Sequence, residues 1–273
     1  YNPPEEPING LLSKGYAKSR IKEIDWEKNN PKVKPGNPYK FQGGRKNPYQ
    51  DYLKTWGEEK KRFNPNDGNQ DFGAIETEFN TGTTTIQAAD KEGWVVSITP
   101  SGGWIPTVIA GNTGVGLSQR AQSFVLYADE NPFNVIAPGK RPRATLTPAL
   151  AIKDGKPYLS FAVQGGDTQD QNLLQFFLNM VEFDMNVQEA TEAANVNSYQ
   201  MYSSFGKHSK EAGRIVVQED IPPWVIKDLR KMGYNIQKRR LTSGPINAIW
   251  FDWEHNTMWG GSSNYGEDYG IGW

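Results

Sequence analysis

Cysteine is absent from the 273 residues, and histidine occurs only twice, at His208 and His255. The first absence removes disulfide frameworks, thiolate nucleophiles and cysteine-bound zinc or iron-sulfur centres. The second leaves no HExxH pattern, so a histidine-rich metal site has no support and no metal ligand set is assigned. Any covalent nucleophile must then act through oxygen or nitrogen. No apolar run approaches the roughly eighteen residues of a membrane span, and the mean hydropathy of -0.70 agrees. A charge excess is missing as well. Thirty Lys and Arg stand against thirty-one Asp and Glu, a net charge of -1, so no whole-molecule field points to nucleic acid or an anionic membrane. The start, Tyr1-Asn2-Pro3-Pro4-Glu5-Glu6-Pro7, lacks the basic and apolar stretches of a signal peptide and reads as a piece of something longer.

What is present divides near residue 82. Residues 1–62 carry +6, residues 63–82 carry -4 and residues 83–273 carry -3. In the first third, Leu11 to Ile24 has helical spacing, and a polar tract rich in Asn, Pro, Gly and Lys follows. Its basic, aromatic-interleaved part (Lys40, Arg45, Tyr49, Tyr52, Trp56, Arg62) could track a nucleic-acid backbone, but the favoured reading is an ordinary surface-wrapping segment. Residues 64–82 read as a loop or linker. Beyond them the texture is mixed α and β. Thr83 to Ala89 and Trp94 to Thr99 predict a strand hairpin around Asp90-Lys91-Glu92-Gly93. Tyr158 to Val163 predicts a strand halted by Gly165-Gly166, after which Asp167 or Thr168 could cap a helix reaching about Phe183, with Leu173, Leu174, Phe177, Leu178 and Val181 toward a core. Gln188–Ala194 and Pro223–Met232 predict helices; Ala248–Trp253 and Thr257–Trp259 predict closing strands.

Three features could carry chemistry. Thr81-Gly82-Thr83-Thr84-Thr85 places hydroxyls where a polar loop meets a strand. A threonine hydroxyl is a poor nucleophile, but cutting the preceding peptide bond gives it its own α-amine as general base, with an unperturbed pKa of about 8. The structural alternative is that threonine simply favours strands. At the strand-Gly165-Gly166-helix junction, free amides could face developing negative charge, as an oxyanion hole requires; most Gly-Gly pairs there are only turns. The loop Ala137 to Pro148 is rigid and basic, and could hold a carboxylate through Arg and hydroxyl donors, or be a solvated connection. Ser204-x-x-Lys207 matches a serine-lysine signature only formally.

Taken in order and spacing, Thr83-Thr84-Thr85, Ala89-Asp90-Lys91-Glu92-Gly93, Val95-Val96-Ser97, Gly111-Asn112-Thr113-Gly114, Pro138-Gly139-Lys140-Arg141-Pro142, Thr147-Pro148, Gly165-Gly166 and Gly260-Gly261-Ser262-Ser263 resemble the small subunit of gamma-glutamyltranspeptidase-family proteins. Leu11 to Ala17 resembles the last helix of that family's large subunit. The resemblance implies an α+β fold, the four-layer αββα sandwich of the N-terminal-nucleophile (Ntn) hydrolases, of which this chain would supply about half. It implies a zymogen that cuts itself at Gly82/Thr83. Residues 1–82 would be the large-subunit tail and processing linker, and residues 83–273 the catalytic small subunit.

In that frame Thr83 is the nucleophile, Ser101 its supporting hydroxyl, and Gly165 and Gly166 the oxyanion amides. Substrate positions fall at Thr85, Gly103, Arg120, Ser123, Ala144 and Thr145. Gly103 and Ser123 depart from the Asn and acidic residue that grip a γ-glutamyl amine, and Ala144-Thr145 replaces a serine pair, so glutathione-type recognition is in question. Arg120 within Leu117 to Phe124 is closer to the acylase-like branch and favours a carboxylate-bearing acyl group. The expected activity is amide hydrolysis or acyl transfer without a cofactor, on a small-molecule amide, with the upstream large-subunit polypeptide as partner, a homo-oligomer as an option, and no nucleic acid. A periplasmic or secreted address fits the resemblance. The rival expectation is an uncut, non-catalytic binding or assembly protein that keeps the fold.

Overall fold

The computed structural model describes residues 6–55, 82–102, 108–116, 118–206, 208–264 and 268–272. Two units share the C-terminal part. The first is an antiparallel sheet ordered β3-β4-β8-β9, built from β3 (Ala149–Lys153), β4 (Lys156–Val163), β8 (Ile246–Asp252) and β9 (Thr257–Ser262). Its two faces differ in chemistry because side chains alternate along a strand. Leu159, Phe161 and Val163 of β4, with Ile246 and Ala248 of β8, point toward helix α4 (Gln169–Val181) and helix α5 (Val187–Glu192). There they bury against Leu173, Phe176, Met180, Val187 and Ala190. Burying a ring such as Phe176, 1% exposed, contributes about 1.5–3 kcal/mol, so this apolar layer is the main core. Gly261 on β9 lets α5 approach, since a Cβ there would lie 2.9 Å from the Val187 carbonyl oxygen.

The opposite face is polar. A hairpin of β1 (Ile86–Ala89) and β2 (Val95–Ile98), in register Ile86↔Ile98, stacks on it. Gln87 accepts from the Ser160 hydroxyl of β4, and Thr85 just before β1 accepts from Asn247 of β8 at 2.8 Å. The hairpin's other face carries Ile86, Val96 and Ile98, exposed by 43–50%. Helix, sheet and sheet therefore form three successive layers, and the outermost presents apolar side chains.

The second unit is the three-stranded sheet β5-β6-β7: β5 (Val196–Ser198) antiparallel to β6 (Arg214–Gln218), and β6 parallel to β7 (Asn235–Arg239). The parallel pair needs a crossover, supplied by α6 (Pro223–Lys231), whose Ile226 packs on Ile215 and Val217.

The N-terminal stretch contributes α1 (Ile8–Leu11), α2 (Lys14–Ile21), a 3-10 turn at Pro38–Phe41 and α3 (Gln50–Lys54). Leu11 to Ile24 is thus two helices rather than one. Ser13 leaves the helix to cap α2, accepting from Tyr16 N at 3.0 Å, and Leu12 at the break is 79% exposed. The segment docks on the second unit, where Asn29 N donates to Met232 O at 2.7 Å, and on the irregular stretch ahead of β3, where Tyr49 packs on Phe133 with ring centroids 4.4 Å apart. With Tyr49 packed on Phe133 and the Tyr52 ring centroid 6.1 Å from that of Tyr49, two aromatics of the basic tract serve packing instead of base stacking; residues 56–62 of that tract lie outside the described residues. Most of the 64–82 linker lies outside them too. No helix among the described residues is long and apolar enough to cross a membrane.

Candidate active site

β1 begins three residues later than the threonine run suggested. Thr83 instead joins Ser101 in an isolated antiparallel bridge, and Thr84 N donates to Pro100 O at 3.1 Å. This bridge extends the β1–β2 hairpin beyond its last regular rung and sets two hydroxyls face to face, Thr83 Oγ1 and Ser101 Oγ being 2.9 Å apart. The Ser101 hydroxyl also donates to the carbonyl oxygen of Gly82 at 3.0 Å. Asn247 anchors the same strand through Thr85.

A third group reaches the pair. Ser118 caps a 3-10 turn at Gln119–Ser123, and from that turn Arg120 donates through Nη2 to Ser101 Oγ and through Nη1 to Thr145 Oγ1, each at 3.1 Å. Its guanidinium lies over the Phe205 ring, 5.5 Å from the centroid. Burial lowers its pKa below the usual arginine value, while the Asp167 charge acts in the opposite direction. The cation is therefore half withdrawn from water and only partly screened.

Gly165 has φ +141°, and a Cβ there would stand 2.8 Å from Thr168 Oγ1. Thr168 stands at the N-cap position of the following helix, but its side chain makes no cap hydrogen bond. It sits in a 3-10 turn over Gly166–Thr168, and its hydroxyl donates to Gly165 O at 2.8 Å. Asp167 does not cap it either, because its carboxylate accepts from Ser204 N at 2.7 Å and from the Ser204 hydroxyl, with Arg143 at 3.8 Å. Ser204 is buried in that contact, and Lys207 lies outside the described residues.

Gln169, 1% exposed, ties the glycine turn to the Arg120 cluster. The amide orientation that satisfies both ends sends its nitrogen to Thr145 O at 3.1 Å, Val163 O at 3.1 Å and Thr147 Oγ1 at 3.3 Å, and its oxygen to Gly166 N–H at 3.2 Å. The Gly166 amide is thereby engaged from within. A groove of about 960 Å³ opens beside Gly165, lined also by Arg143, Asp167, Tyr202 and Thr242.

Thr83, Ser101, Arg120 and Thr145 thus form one hydrogen-bonded set, with Gly166 linked to it through Gln169 and Thr85 two residues further along the chain from Thr83. Ser123 points elsewhere. Its hydroxyl donates to Arg120 O at 2.7 Å and Arg143 O at 2.9 Å, and its carbonyl accepts from Asn134, so at 1% exposure it braces two loops instead of meeting a ligand. Ala144 is exposed and brings no polar side-chain atom. Gly103 lies outside the described residues. Gln169, Asn247 and Phe205 were not singled out in the sequence. Asn247 had a signal, a lone amide inside the apolar run Ile246 to Phe251; Gln169 had none.

The gamma-glutamyltranspeptidase family model matches residues 2–273. The chain belongs to the gamma-glutamyltranspeptidase family. The glutathione hydrolase proenzyme of Bacillus subtilis strain 168 is 28% identical over 274 residues, 97% of this chain. The acylase ACY 1 proenzyme of Pseudomonas sp. strain V22 is 28% identical over 172 residues, 62% of this chain and 28% of that protein. The solved cephalosporin acylase of Bacillus halodurans superposes with a TM-score of 0.66 at 24% identity, covering 94% of this chain and 38% of that one. Its α-β-β layering is that of the Ntn-hydrolase sandwich, as the family resemblance implied. This member of the family spans 40% of the length of the Bacillus glutathione hydrolase proenzyme.

Proposed function

We propose that this chain is the tail of a large subunit (residues 1–82) followed by the small subunit (residues 83–273) of a self-cleaving, amide-hydrolysing or acyl-transferring enzyme. Thr83 Oγ1 attacks the Gly82 carbonyl carbon, the C–N bond gives way, and water hydrolyses the resulting ester. That leaves a carboxylate on Gly82 and a free α-amine on Thr83. In turnover, that amine takes the Thr83 hydroxyl proton as the oxygen attacks a substrate amide, then returns a proton to the departing amine. Water or a second amine releases the acyl group. The observation that carries the reading is the Thr83–Ser101 contact at 2.9 Å, with the Ser101 hydroxyl on the Gly82 carbonyl.

Gly165 supplies the first oxyanion amide. Gly166 joins it when Gln169 yields its amide, a rearrangement that substrate charge would favour. Arg120 and Thr145 face the acyl group, and a half-buried guanidinium selects a carboxylate there. Glutathione hydrolase and acylase names among the relatives fit an amide of this kind, and no step requires a cofactor.

The test is a panel of amides on the matured full-length protein, comparing acyl groups with and without a distal carboxylate. Preference for the carboxylate series, lost in Thr83→Ala for both, supports the assignment. Equal rates for both series remove Arg120 from acyl recognition. The uncut binding-protein reading draws on Ala144 and the inward-turned Ser123, which offer a glutamyl group nothing to bind. A stoichiometric complex with the carboxylate amides, without turnover, would favour it.

A further inference from the structure

Among the groups that meet Ser101 Oγ are three of different character: the Gly82 carbonyl, the Thr83 hydroxyl and the Arg120 guanidinium. A hydroxyl offers one proton and two lone pairs, a carbonyl can only accept and a guanidinium can only donate. The directions then follow. Ser101 gives its proton to Gly82 O, takes one hydrogen bond from Arg120, and its remaining lone pair receives the proton of Thr83. The Gly82 carbonyl sets the direction of the Ser101 proton, and a cation donating to the same oxygen makes that O–H a stronger donor, so the Arg120 contact increases the polarisation of the Gly82 carbonyl.

We propose that Arg120 is a positioning residue for self-cleavage, acting through Ser101 to strengthen the hydrogen bond that polarises the Gly82 carbonyl. This rests on the reading of Thr83 as the cleaving nucleophile, and it gives Arg120 a task before any substrate is bound. In the step, Thr83 Oγ1 bonds to the Gly82 carbonyl carbon and the π pair moves onto Gly82 O. The Thr83 proton passes to Ser101 as the Ser101 proton passes to Gly82 O, so no charge is left over and no external base is consumed. Collapse breaks the C–N bond and returns the proton from Gly82 O to the Thr83 nitrogen, giving the ester as an isomer of the original amide. Throughout, the guanidinium stays charged and donates to Ser101, so the negative charge building on Gly82 O is felt by a cation one hydroxyl away. The Phe205 face and the Thr145 hydroxyl hold the fork in place.

The experiment follows maturation of the full precursor by intact mass over time, after synthesis in a cell-free system, for the wild type, Arg120→Gln, Arg120→Lys, Ser101→Ala and the Ser101→Ala/Arg120→Gln double variant. Arg120→Gln is expected to slow cleavage by roughly 10- to 100-fold, less than the roughly 100- to 1,000-fold cost of removing a donor that touches the oxyanion itself, because Arg120 acts through a hydroxyl. Arg120→Lys, keeping charge and a donor, should recover part of the rate. In the Ser101→Ala background, Arg120→Gln should slow cleavage by no more than about twofold, because a residue acting through Ser101 has nothing left to act on. Low millimolar guanidinium added to Arg120→Ala should speed its maturation and leave Ser101→Ala unchanged, which distinguishes lost chemistry from a folding defect. Wild-type kinetics in Arg120→Gln, multiplicative losses in the double variant, or no guanidinium rescue would overturn the proposal while leaving Thr83 in its role. Continued cleavage of Thr83→Ala would instead remove the reading beneath it.

Discussion

Asn247 on β8 donates to the Thr85 hydroxyl at 2.8 Å, so a central strand of the main sheet holds the segment that carries Thr83. The Asn247 carbonyl oxygen accepts in turn from Ser262 of β9 at 2.9 Å, which fixes the amide's orientation. Removing this amide should misplace the nucleophile more than it unfolds the protein. Asn247→Ala is expected to cost about 2–3 kcal/mol of stability, roughly 1 kcal/mol for each of its side-chain hydrogen bonds to Thr85, Ser262 and Asp268. It should slow maturation of the full precursor well beyond that. Denaturant midpoints beside intact-mass time courses provide the check; an unchanged cleavage rate would mean Thr85 is held by other contacts.

Gln169 is buried and meets Thr145 O, Val163 O and Gly166 N–H. Replacing it with leucine keeps the volume and strands those backbone groups, each at a cost of about 1–3 kcal/mol when no water replaces the partner. Gln169→Leu should lower Tm by many degrees, at roughly 2–4 °C per kcal/mol for a chain of this size. A melting point within a degree or two of wild type would show that the glycine turn does not depend on this amide.

At Gly165 the backbone itself is the constraint. With φ at +141° and Thr168 Oγ1 in the path of a Cβ, Gly165→Ala has to move the turn that would present the oxyanion amide. A strained residue of this kind costs about 1–3 kcal/mol. The matured variant should therefore both melt earlier and lose turnover, with kcat falling more than KM rises. A fall in stability alone would separate Gly165 from the chemistry.

The fold was legible where apolar periodicity was strong. β4, α4 and the closing pair β8–β9 follow their sequence signals, and so does the β1–β2 hairpin around Asp90 to Gly93. The inner face of α4 was legible in part, since Leu173, Phe177 and Val181 meet the core as their spacing suggested. Leu174 is 59% exposed while Phe176 and Met180 are buried, because Gln169 and Asn172 occupy the buried stripe and rotate it away from the most hydrophobic arc. A periodicity argument counts buried amides as surface. β5, β6 and β7 were missed because they are three to five residues long, and β7 (Asn-Ile-Gln-Lys-Arg) reads as polar; its place depends on parallel pairing with β6, which only the tertiary fold supplies. At the site, Thr83 and Ser101 were legible through the family's spacing. The inward turn of Ser123 was not, since it depends on the carbonyl of Arg143, 20 residues further along the chain, as well as on that of Arg120.

Asp268 offers a test in pH. Burial raises its carboxyl pKa, offset in part by a hydrogen bond from Asn247, and its Oδ2 has no partner among the described residues. A raised folded-state pKa means the fold binds this proton more tightly than the unfolded chain does. The penalty is absent below the ordinary carboxylate range, grows as pH climbs through that range, and is complete above the folded value. Asp268→Asn should therefore stabilise the protein at neutral pH and leave it unchanged near pH 3. A constant difference across pH in denaturant titrations would assign the effect to packing.

The most direct measurement is the intact mass and N-terminal residue of the full precursor after expression, in the wild type and in Thr83→Ala. Two polypeptides from the wild type, one beginning at Thr83, and a single unbroken chain from the variant are the expected result. One unbroken wild-type chain that nonetheless turns over amides, or cleavage that persists without the Thr83 hydroxyl, would contradict it.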